Sequence, residues 1–135
     1  MAKTVTPEQF ASEMNKILND YNLEVVKTTN KAVEMTARED VRELKGASRI
    51  FTSNRRGHRY RRSWTFRKFK DELGTIVCIV YNTQYQLTHL LEKGHDIKRN
   101  GQTIGHADAK VHIKPVADRT GKRLEDYFKS GIKKI

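Results

Sequence analysis

Histidine is the residue type whose spacing most suggests chemistry in this 135-residue chain. Four of the five histidines fall within 24 residues: His89, His95, His106 and His112. Glu92 follows His89 by three residues, so the two would share one helical face and could offer ligands to zinc. The spacing fits no standard Cys/His zinc pattern, and there is a single cysteine. We therefore predict no metal and no cofactor, and expect His89 and Glu92 to hold their helix and the following turn by hydrogen bonds.

Cys78 is the candidate for a thiol nucleophile, with His89 as its base. It lies inside the apolar run Ile76–Tyr81, where a thiol is usually an inert, buried hydrophobe. A lone cysteine also excludes an intrachain disulfide. The paired carboxylates Asp71-Glu72 and Glu125-Asp126 fall at a turn and on an amphipathic stretch, and the chain has no glycine-rich phosphate loop. We predict no catalytic residue and no enzymatic activity.

Charge is the strongest compositional signal. The formal net charge is +11, and residues 49–70, here called the basic segment, hold nine Lys/Arg and no acidic residue. Aromatic residues are interleaved with these bases, a mixture that suits phosphate contact and base stacking. An acidic protein partner or a solvated strand face would explain the same pattern. The predicted contact residues for a partner or DNA are Arg55, Arg56, Arg59, Arg61, Arg62 and Arg67.

The N-terminal third of the chain is predicted to be helical over residues 1–46. Thr6-Pro7-Glu8-Gln9 has the sequence of a capping box with proline at the first helical position. The apolar residues then recur at helical spacing: Phe10, Met14, Ile17 and Tyr21. The pattern weakens near residues 19–22 and resumes up to Gly46, so either two helices or one helix kinked near Tyr21 would fit.

A polar loop and a β-hairpin are predicted next. Residues 47–62 are rich in turn-forming residues and indicate a basic loop. Alternation over residues 64–69 predicts a strand, and residues 75–82 are β-branched and apolar, which predicts the central and most buried strand of the sheet. We expect the two strands to pair antiparallel, with Trp64 and Val80 buried.

The C-terminal part of the chain is predicted to form two helices separated by a loop or hairpin. Residues 85–93 suggest a short helix stopped by Gly94, with Tyr85 among its buried residues. Residues 95–109 contain Asn100-Gly101, a tight-turn signal, and predict a mobile loop or a small hairpin arm. His112–Val116 is expected to rejoin the sheet, followed by a helix from near Val116. This predicts one α+β domain over residues 1–135, with N-terminal helices and a C-terminal helix on a small antiparallel sheet.

Size and hydropathy predict a soluble protein that relies on partners. Hydrophobic residues make up 36% of the chain and charged residues 32%, so the core must be small and would benefit from burial against a neighbour. The longest apolar stretch, Ile76–Tyr81, is far too short to span a membrane, and nothing resembles a targeting segment. We expect no membrane association and synthesis in a cytoplasm.

One region resembles a known family. It runs from Tyr81-Asn82 through the run Leu87–His95, which reads LTHLLEKGH, to His112-Ile113. Upstream, Gly57, Tyr60 and the stretch Arg61–Trp64 also match. Together these are similar to the tail-component family of long-tailed bacteriophages, also called tail-completion or head–tail joining proteins. The resemblance covers roughly residues 50–135, with a departure at Ser53–Arg56, where the family often has proline and threonine.

The resemblance implies a non-enzymatic structural protein of the virion neck or tail. It implies an α+β fold, no cofactor, no small-molecule substrate, and one subunit of a ring around the DNA channel, assembled with other neck or tail proteins in the bacterial host cytoplasm. The residues that it marks as structural are Trp64, His89, Leu90, Leu91, Glu92, Gly94, His95 and His112. The alternative is a small basic nucleic-acid-binding protein with no virion role, which would be retained on heparin or DNA in a strongly salt-dependent way.

Charge also constrains how such a ring could form. Copies of the basic segment within a Debye length, about 10 Å at 0.1 M salt, would repel one another. The segments must therefore be spread apart, screened or matched by acidic groups. We expect the free chain to be monomeric or weakly associated, and the ring to form on an acidic partner such as the tail end, the neck or DNA.

Overall fold

A computed structural model describes residue 4 and residues 6–135, and within these the chain forms an α+β fold. The elements are α1 (Pro7–Ala47), a 3-10 helix (Ser48–Phe51), α2 (Arg55–Arg62), β1 (Trp64–Lys70), β2 (Ile76–Asn82), α3 (Tyr85–Lys93), β3 (His95–Arg99), β4 (Gln102–Ala107) and α4 (Lys114–Ile132). The predicted fold class is confirmed, although the strands form two separate two-stranded sheets.

α1 is a single 41-residue helix. The alternative of two separate helices, which the sequence left open, is therefore wrong. Its capping box is formed as predicted, with the Thr6 hydroxyl 3.2 Å from the Gln9 amide and the Gln9 side chain 2.9 Å from the Thr6 amide. The helix continues through Gly46 to Ala47. The first residues of the predicted helical region, 1–3 and 5, lie outside the described residues.

The prediction of a loop over residues 47–62 is wrong, because this stretch forms the 3-10 helix and α2. Asn54 caps α2 by accepting a hydrogen bond from the Gly57 amide at 2.8 Å. Tyr60 is 1% exposed and anchors α2 to the core. A sequence this polar has little helical periodicity of its own, and its helix is stabilised by the Asn54 cap and by the burial of the Tyr60 ring.

Gly57 allows α2 to contact the 3-10 helix directly. A Cβ atom at this position would lie 1.5 Å from the carbonyl oxygen of Phe51. Gly57→Ala should therefore force the two helices apart and lower the free energy of unfolding by about 1–3 kcal/mol, as overpacking does. Gly121→Ala is the matched control, since Gly121 is also helical but has open space around it. Equal unfolding midpoints in urea for the two variants would contradict the prediction.

β1 and β2 form the predicted antiparallel hairpin, with Trp64 opposite Asn82 and Lys70 opposite Ile76. β2 is the most buried of the described strands, as predicted, but it is not central, because its sheet has only two strands. Trp64 is buried as predicted, whereas Val80 is only half-buried and Val77 and Ile79 are about half exposed. α1 covers one face of the hairpin, and among the described residues no element covers the other.

The hairpin alternative for residues 95–109 is confirmed by β3 and β4, while their mobility remains a prediction. Asn100 and Gly101 have φ of 53° and 77°, as a two-residue hairpin turn requires. The predicted return of His112–Val116 to the sheet is wrong, since α4 already begins at Lys114. Pro115 in the first turn favours this helix start.

The core is small and lies where the helices meet the base of the first hairpin. Leu44, Tyr60, Trp64 and Val116 form its buried cluster. α3 has its predicted bounds, but Tyr85 is 68% exposed rather than buried, because the helix turns only Leu87 and Leu91 toward the core. No helix in the described part of the chain is long and apolar enough to cross a membrane.

α4 is held along α1 by ion pairs. Asp40, 6% exposed, accepts hydrogen bonds from Arg123 and from the Thr120 hydroxyl, the latter at 2.8 Å. Glu43 pairs with Arg119 at 3.0 Å and also with Arg123. Partial burial opposes ionisation of Glu43, but the two guanidinium groups outweigh it and lower the pKa of this carboxyl. These pairs fix the register of the two longest helices.

Candidate functional site

Two of the residues that suggested chemistry, His112 and Glu92, meet in a largely buried polar junction. The Tyr60 hydroxyl lies 2.7 Å from Nε2 of His112, which is 2% exposed. Nδ1 of His112 lies 2.8 Å from the carbonyl oxygen of Lys110. A carbonyl oxygen only accepts, so Nδ1 carries the proton and the tyrosine hydroxyl donates to Nε2. Burial, with the nearby Glu92 charge, raises the pKa of Tyr60, which keeps that hydroxyl protonated.

Trp64 extends the junction toward α1. Its indole N–H donates to the Ser48 hydroxyl at 2.8 Å, and that hydroxyl donates to the carbonyl oxygen of Leu44 at 2.7 Å. The Trp64 and Tyr60 rings meet edge to face with centroids 5.7 Å apart. Asn82 closes the other side by donating to the Tyr60 carbonyl oxygen at 2.9 Å. Each of these buried polar groups has a partner, as a rigid interior requires.

Glu92 caps α4 from a different helix. Its carboxylate accepts hydrogen bonds from the backbone amides of His112 and Ile113, the shortest to each being 2.9 and 2.8 Å. Ile113, the residue at the N-cap of α4, has no capping side chain of its own, so Glu92 satisfies amides that would otherwise lack partners. Burial opposes ionisation, but the backbone hydrogen bonds outweigh it and lower the pKa of this carboxyl.

The other residues of the predicted family motif surround this junction. Gly94 has φ of 76°, and a Cβ there would lie 2.6 Å from the carbonyl oxygen of Ala107, so only glycine fits between α3 and the second hairpin. Leu90 and Leu91 are half-buried, and Leu91 packs on the core cluster. His89 is exposed and its side chain has no hydrogen-bond partner among the described residues, so the prediction that it holds its helix by hydrogen bonds is wrong, whereas Glu92 makes such bonds. His95 is half-buried, and its Nδ1 is buried without a hydrogen-bond partner in the described chain.

In this arrangement the polar side chains connect one structural element to another. Within residue 4 and residues 6–135, no group of three or more His, Cys, Asp or Glu side chains is placed to hold a metal ion. The four clustered histidines are divided among α3, the second hairpin and the α4 cap. Cys78 is half-buried, and burial raises the pKa of its thiol, which disfavours the nucleophilic thiolate.

The six predicted contact arginines fall into three groups. Arg55, Arg59 and Arg62 are exposed at helical spacing on α2, on the side away from Tyr60, and we call them the arginine face. Arg61 is half-buried and its Nε donates to the carbonyl oxygen of Lys45 at 2.8 Å, so it joins α2 to the end of α1.

Arg56 and Arg67 lie apart from the arginine face. Arg56 lines a groove between the 3-10 helix and α3, beside Leu87 and Lys110. Arg67, on the uncovered side of the first hairpin, lies with its guanidinium carbon 5.8 Å from the centre of the Tyr81 ring. The structure therefore does not bring the six arginines together.

Sequence reasoning missed the residues that organise the site. Tyr60 and Asn82 were named only as part of the family resemblance, with no structural role, and Ser48 and the Asp40–Arg123 pair were not singled out. Asn82 is the last residue of β2, and a polar residue at the end of an apolar strand was a usable signal. The Asp40–Arg123 pair spans 83 residues, and no local pattern marks such a contact.

The surface of the chain is unusually large. It measures 10403 Å², whereas a compact monomer of 15.7 kDa exposes about 7,300 Å². Much of the excess comes from elements that project beyond the core. All of residues 7–24 of α1 are exposed, as are residues 96–104 of the second hairpin.

Comparison with known proteins identifies a family of bacteriophage proteins. The model of the family described as "Bacteriophage HK97-gp10, putative tail-component" matches residues 8–94, nearly two thirds of the chain. The match includes the N-terminal helix and ends at Gly94, so its extent differs from the resemblance over residues 50–135 inferred from the sequence. No curated protein and no solved structure matches significantly.

Proposed function

This chain belongs to the HK97-gp10-like family of bacteriophage tail components, and from that premise we propose that it is a ring-forming subunit that completes the tail or joins it to the head. As a member of this family it is a structural component of a phage tail. In the proposal, copies of the chain encircle the DNA channel at the neck, between other neck and tail proteins. Assembly takes place in the host cytoplasm, and the chain carries out no enzymatic reaction.

The observation that carries this proposal is the excess surface. Each ring subunit has two interfaces, and two interfaces of standard size would cover roughly 1,600 Å² of its surface. The excess over a compact monomer is larger, about 3,100 Å². A chain with a core this small gains stability by covering such surface in an assembly.

The role is tested by removing the chain from its phage. DNA-filled heads and separate tails should accumulate, because the junction between them would be incomplete. A reconstruction of the intact particle should then place several copies of this chain in a ring at the junction. Normal joined particles formed without the chain would overturn the proposal.

The arginine face is proposed to contact an acidic neighbour in the neck or tail, or the packaged DNA. Arg55→Glu with Arg59→Glu should block joining at least about tenfold, because reversing charge at an electrostatic interface replaces attraction with repulsion. Lys133→Glu with Lys134→Glu is the matched control, with the same change in net charge on exposed residues that follow α4. Arg61 is unsuitable because its side chain holds the end of α1.

Joined particles are counted for each variant, after circular dichroism has shown that both remain folded. Equal joining by the two double variants would mean that the arginine face is only a solvated surface.

The alternative function, nucleic-acid binding without a virion role, is favoured by the same three exposed arginines. Three phosphate contacts would give a slope of about −2.7 in a plot of log binding constant against log salt. The Arg55/Arg59 variant should then lose DNA binding while particles still join normally. Lost joining with little change in DNA binding would favour a protein partner.

A further inference from the structure

The exposed N-terminal part of α1 has the features of a docking element. We propose that residues 7–24, here called the arm, pack on the uncovered face of the β1–β2 hairpin of a second copy of this chain. This inference deepens the ring proposed above and rests on it. Its partner is the chain itself, because one subunit carries both complementary surfaces.

The arm presents an apolar stripe that is left exposed by the described part of the chain. Its residues are Phe10, Met14, Ile17, Leu18 and Tyr21, which are 40–61% exposed and follow helical spacing. The arm spans 18 exposed residues, about 27 Å of helix. Isolated helices of this length are marginal in water, so the arm gains most by packing against another surface.

The same stripe is already used further along α1. At Thr28 and Ala32 it packs against α4, where Gly131 brings its backbone close to the Thr28 side chain. α4 ends at Ile132, so the stripe continues beyond the end of its intramolecular partner. The apolar stripe of the arm thus continues the surface of α1 that packs against α4.

The receiving surface is the uncovered face of the first hairpin. Cross-strand partners Phe69 and Val77 lie on this face, as does Ile79, and the three are 46–52% exposed. The opposite face of the same hairpin packs against α1 of its own chain. An apolar sheet face is normally covered by a helix or another sheet, and the arm of a neighbour is such a helix.

The arm cannot reach this face within one molecule. Asn30 holds the hairpin turn against α1 by donating to the Gly74 carbonyl oxygen at 2.8 Å and accepting from the Ile76 amide at 3.1 Å. The arm begins beyond that turn and is continuous with the rest of α1. Folding back onto the outer face would require breaking the helix, so the occupant comes from another copy.

Charge favours the same pairing. The arm carries four acidic residues and one lysine, a net charge of −3, while the basic segment that includes β1 carries +9. Contact between the arm of one copy and the hairpin of the next places acidic groups near the repelling positive charges. Because the two surfaces differ, the contact is head-to-tail, the kind of contact from which a ring is built when the rotation between successive copies closes.

Disulfide cross-linking tests the contact directly. In a Cys78→Ser background, Ile17→Cys with Ile79→Cys should give an intermolecular ladder on oxidation, in assembled particles and in concentrated purified protein. Leu23→Cys with Ile79→Cys is the matched control, because Leu23 is 60% exposed, against 61% for Ile17, but lies on the opposite side of the helix. A ladder from both pairs, or cross-linking by Ile17→Cys alone, would overturn the proposal.

Charge insertion provides a second readout. Ile17→Asp should reduce joined particles about tenfold or more without changing the melting temperature, since a carboxylate is strongly disfavoured in an apolar contact and Ile17 is 61% exposed in the single chain. Leu23→Asp should join normally. If Ile17→Asp and Leu23→Asp gave equal numbers of joined particles in a phage that requires this chain, the arm contact would be wrong and the proposed function would stand. Normal particles without the chain would overturn the proposed function, while a ladder from purified protein would still support the arm contact.

Discussion

Trp64→Ala is expected to lower the free energy of unfolding by about 3–5 kcal/mol. Trp64 is 4% exposed, lies edge to face with Tyr60 and His112, and donates to Ser48. Its loss would leave a cavity at the meeting point of α1, α2 and β1. Domains of ordinary size have only about 5–15 kcal/mol of stability, so much of it would be lost. Urea unfolding followed by circular dichroism measures this, because the variant has no tryptophan left to fluoresce.

Phe69→Ala is the matched control for Trp64→Ala. Phe69 is on the same strand but on its uncovered face, and it is 46% exposed, so its truncation should cost less than about 1 kcal/mol in the free chain. Trp64→Phe should be intermediate, since it keeps most of the ring packing and loses the hydrogen bond to Ser48. Similar losses for Trp64→Ala and Phe69→Ala would show that the junction is not the centre of stability.

Glu92→Ala is expected to have the second largest effect, a loss of about 2–4 kcal/mol. The substitution removes the carboxylate that satisfies the first amides of α4, and an unsatisfied buried donor costs about 1–3 kcal/mol. α4 supplies Val116 to the core and Arg123 to the ion pair with Asp40, so loosening its start weakens both. Metal content should be unchanged, and stoichiometric zinc lost on His89→Ala would contradict this reading.

The effect of Glu92 should also depend on pH. Its pKa is lowered in the folded chain, so its contribution is present above its ordinary value of 4.5 and is lost as the pH falls through the folded value. The gap in stability between the wild type and Glu92→Gln should therefore be wide at pH 7 and narrow in strong acid. Glu125→Gln, at a half-exposed carboxyl paired with Lys129, should show a much smaller gap at every pH. If the difference in stability between the wild type and Glu92→Gln were the same at every pH, the charge of Glu92 would not contribute to the cap of α4.

Some of the residues that were prominent in the sequence stabilise the fold of the single chain, and others lie on its surface. The histidine and glutamate residues that suggested metal chemistry include the pair, His112 and Glu92, that joins α3 to the start of α4. The exposed arginines and the apolar arm contribute little to the fold of a single chain. Their presence on such a small domain is consistent with a protein whose function is to hold its neighbours in place.

The sequence by itself determined the elements whose signals are local. The capping box at Thr6, the bounds of α3, the pairing of β1 with β2 and the turn at Asn100-Gly101 were all predicted from residues close together in the chain. Each depends on hydrogen bonds or side-chain periodicity within a few residues, which is why a local pattern is sufficient. The family resemblance likewise came from short runs of residues.

Tertiary structure alone decided what depends on distant contacts. α2 is joined to the core through Tyr60, whose hydroxyl bonds to His112, 52 residues away, and this distant contact supports a helix with three aligned arginines where a loop was predicted. α4 starts at Lys114 rather than as a strand because Glu92 caps it across 20 residues or more. The apolar face of the arm remains uncovered because α4 ends before reaching it. Amphipathic spacing predicts that one face of a helix will be buried. Whether that face is buried within its own chain or against another molecule depends on the lengths and positions of elements that are distant in the sequence.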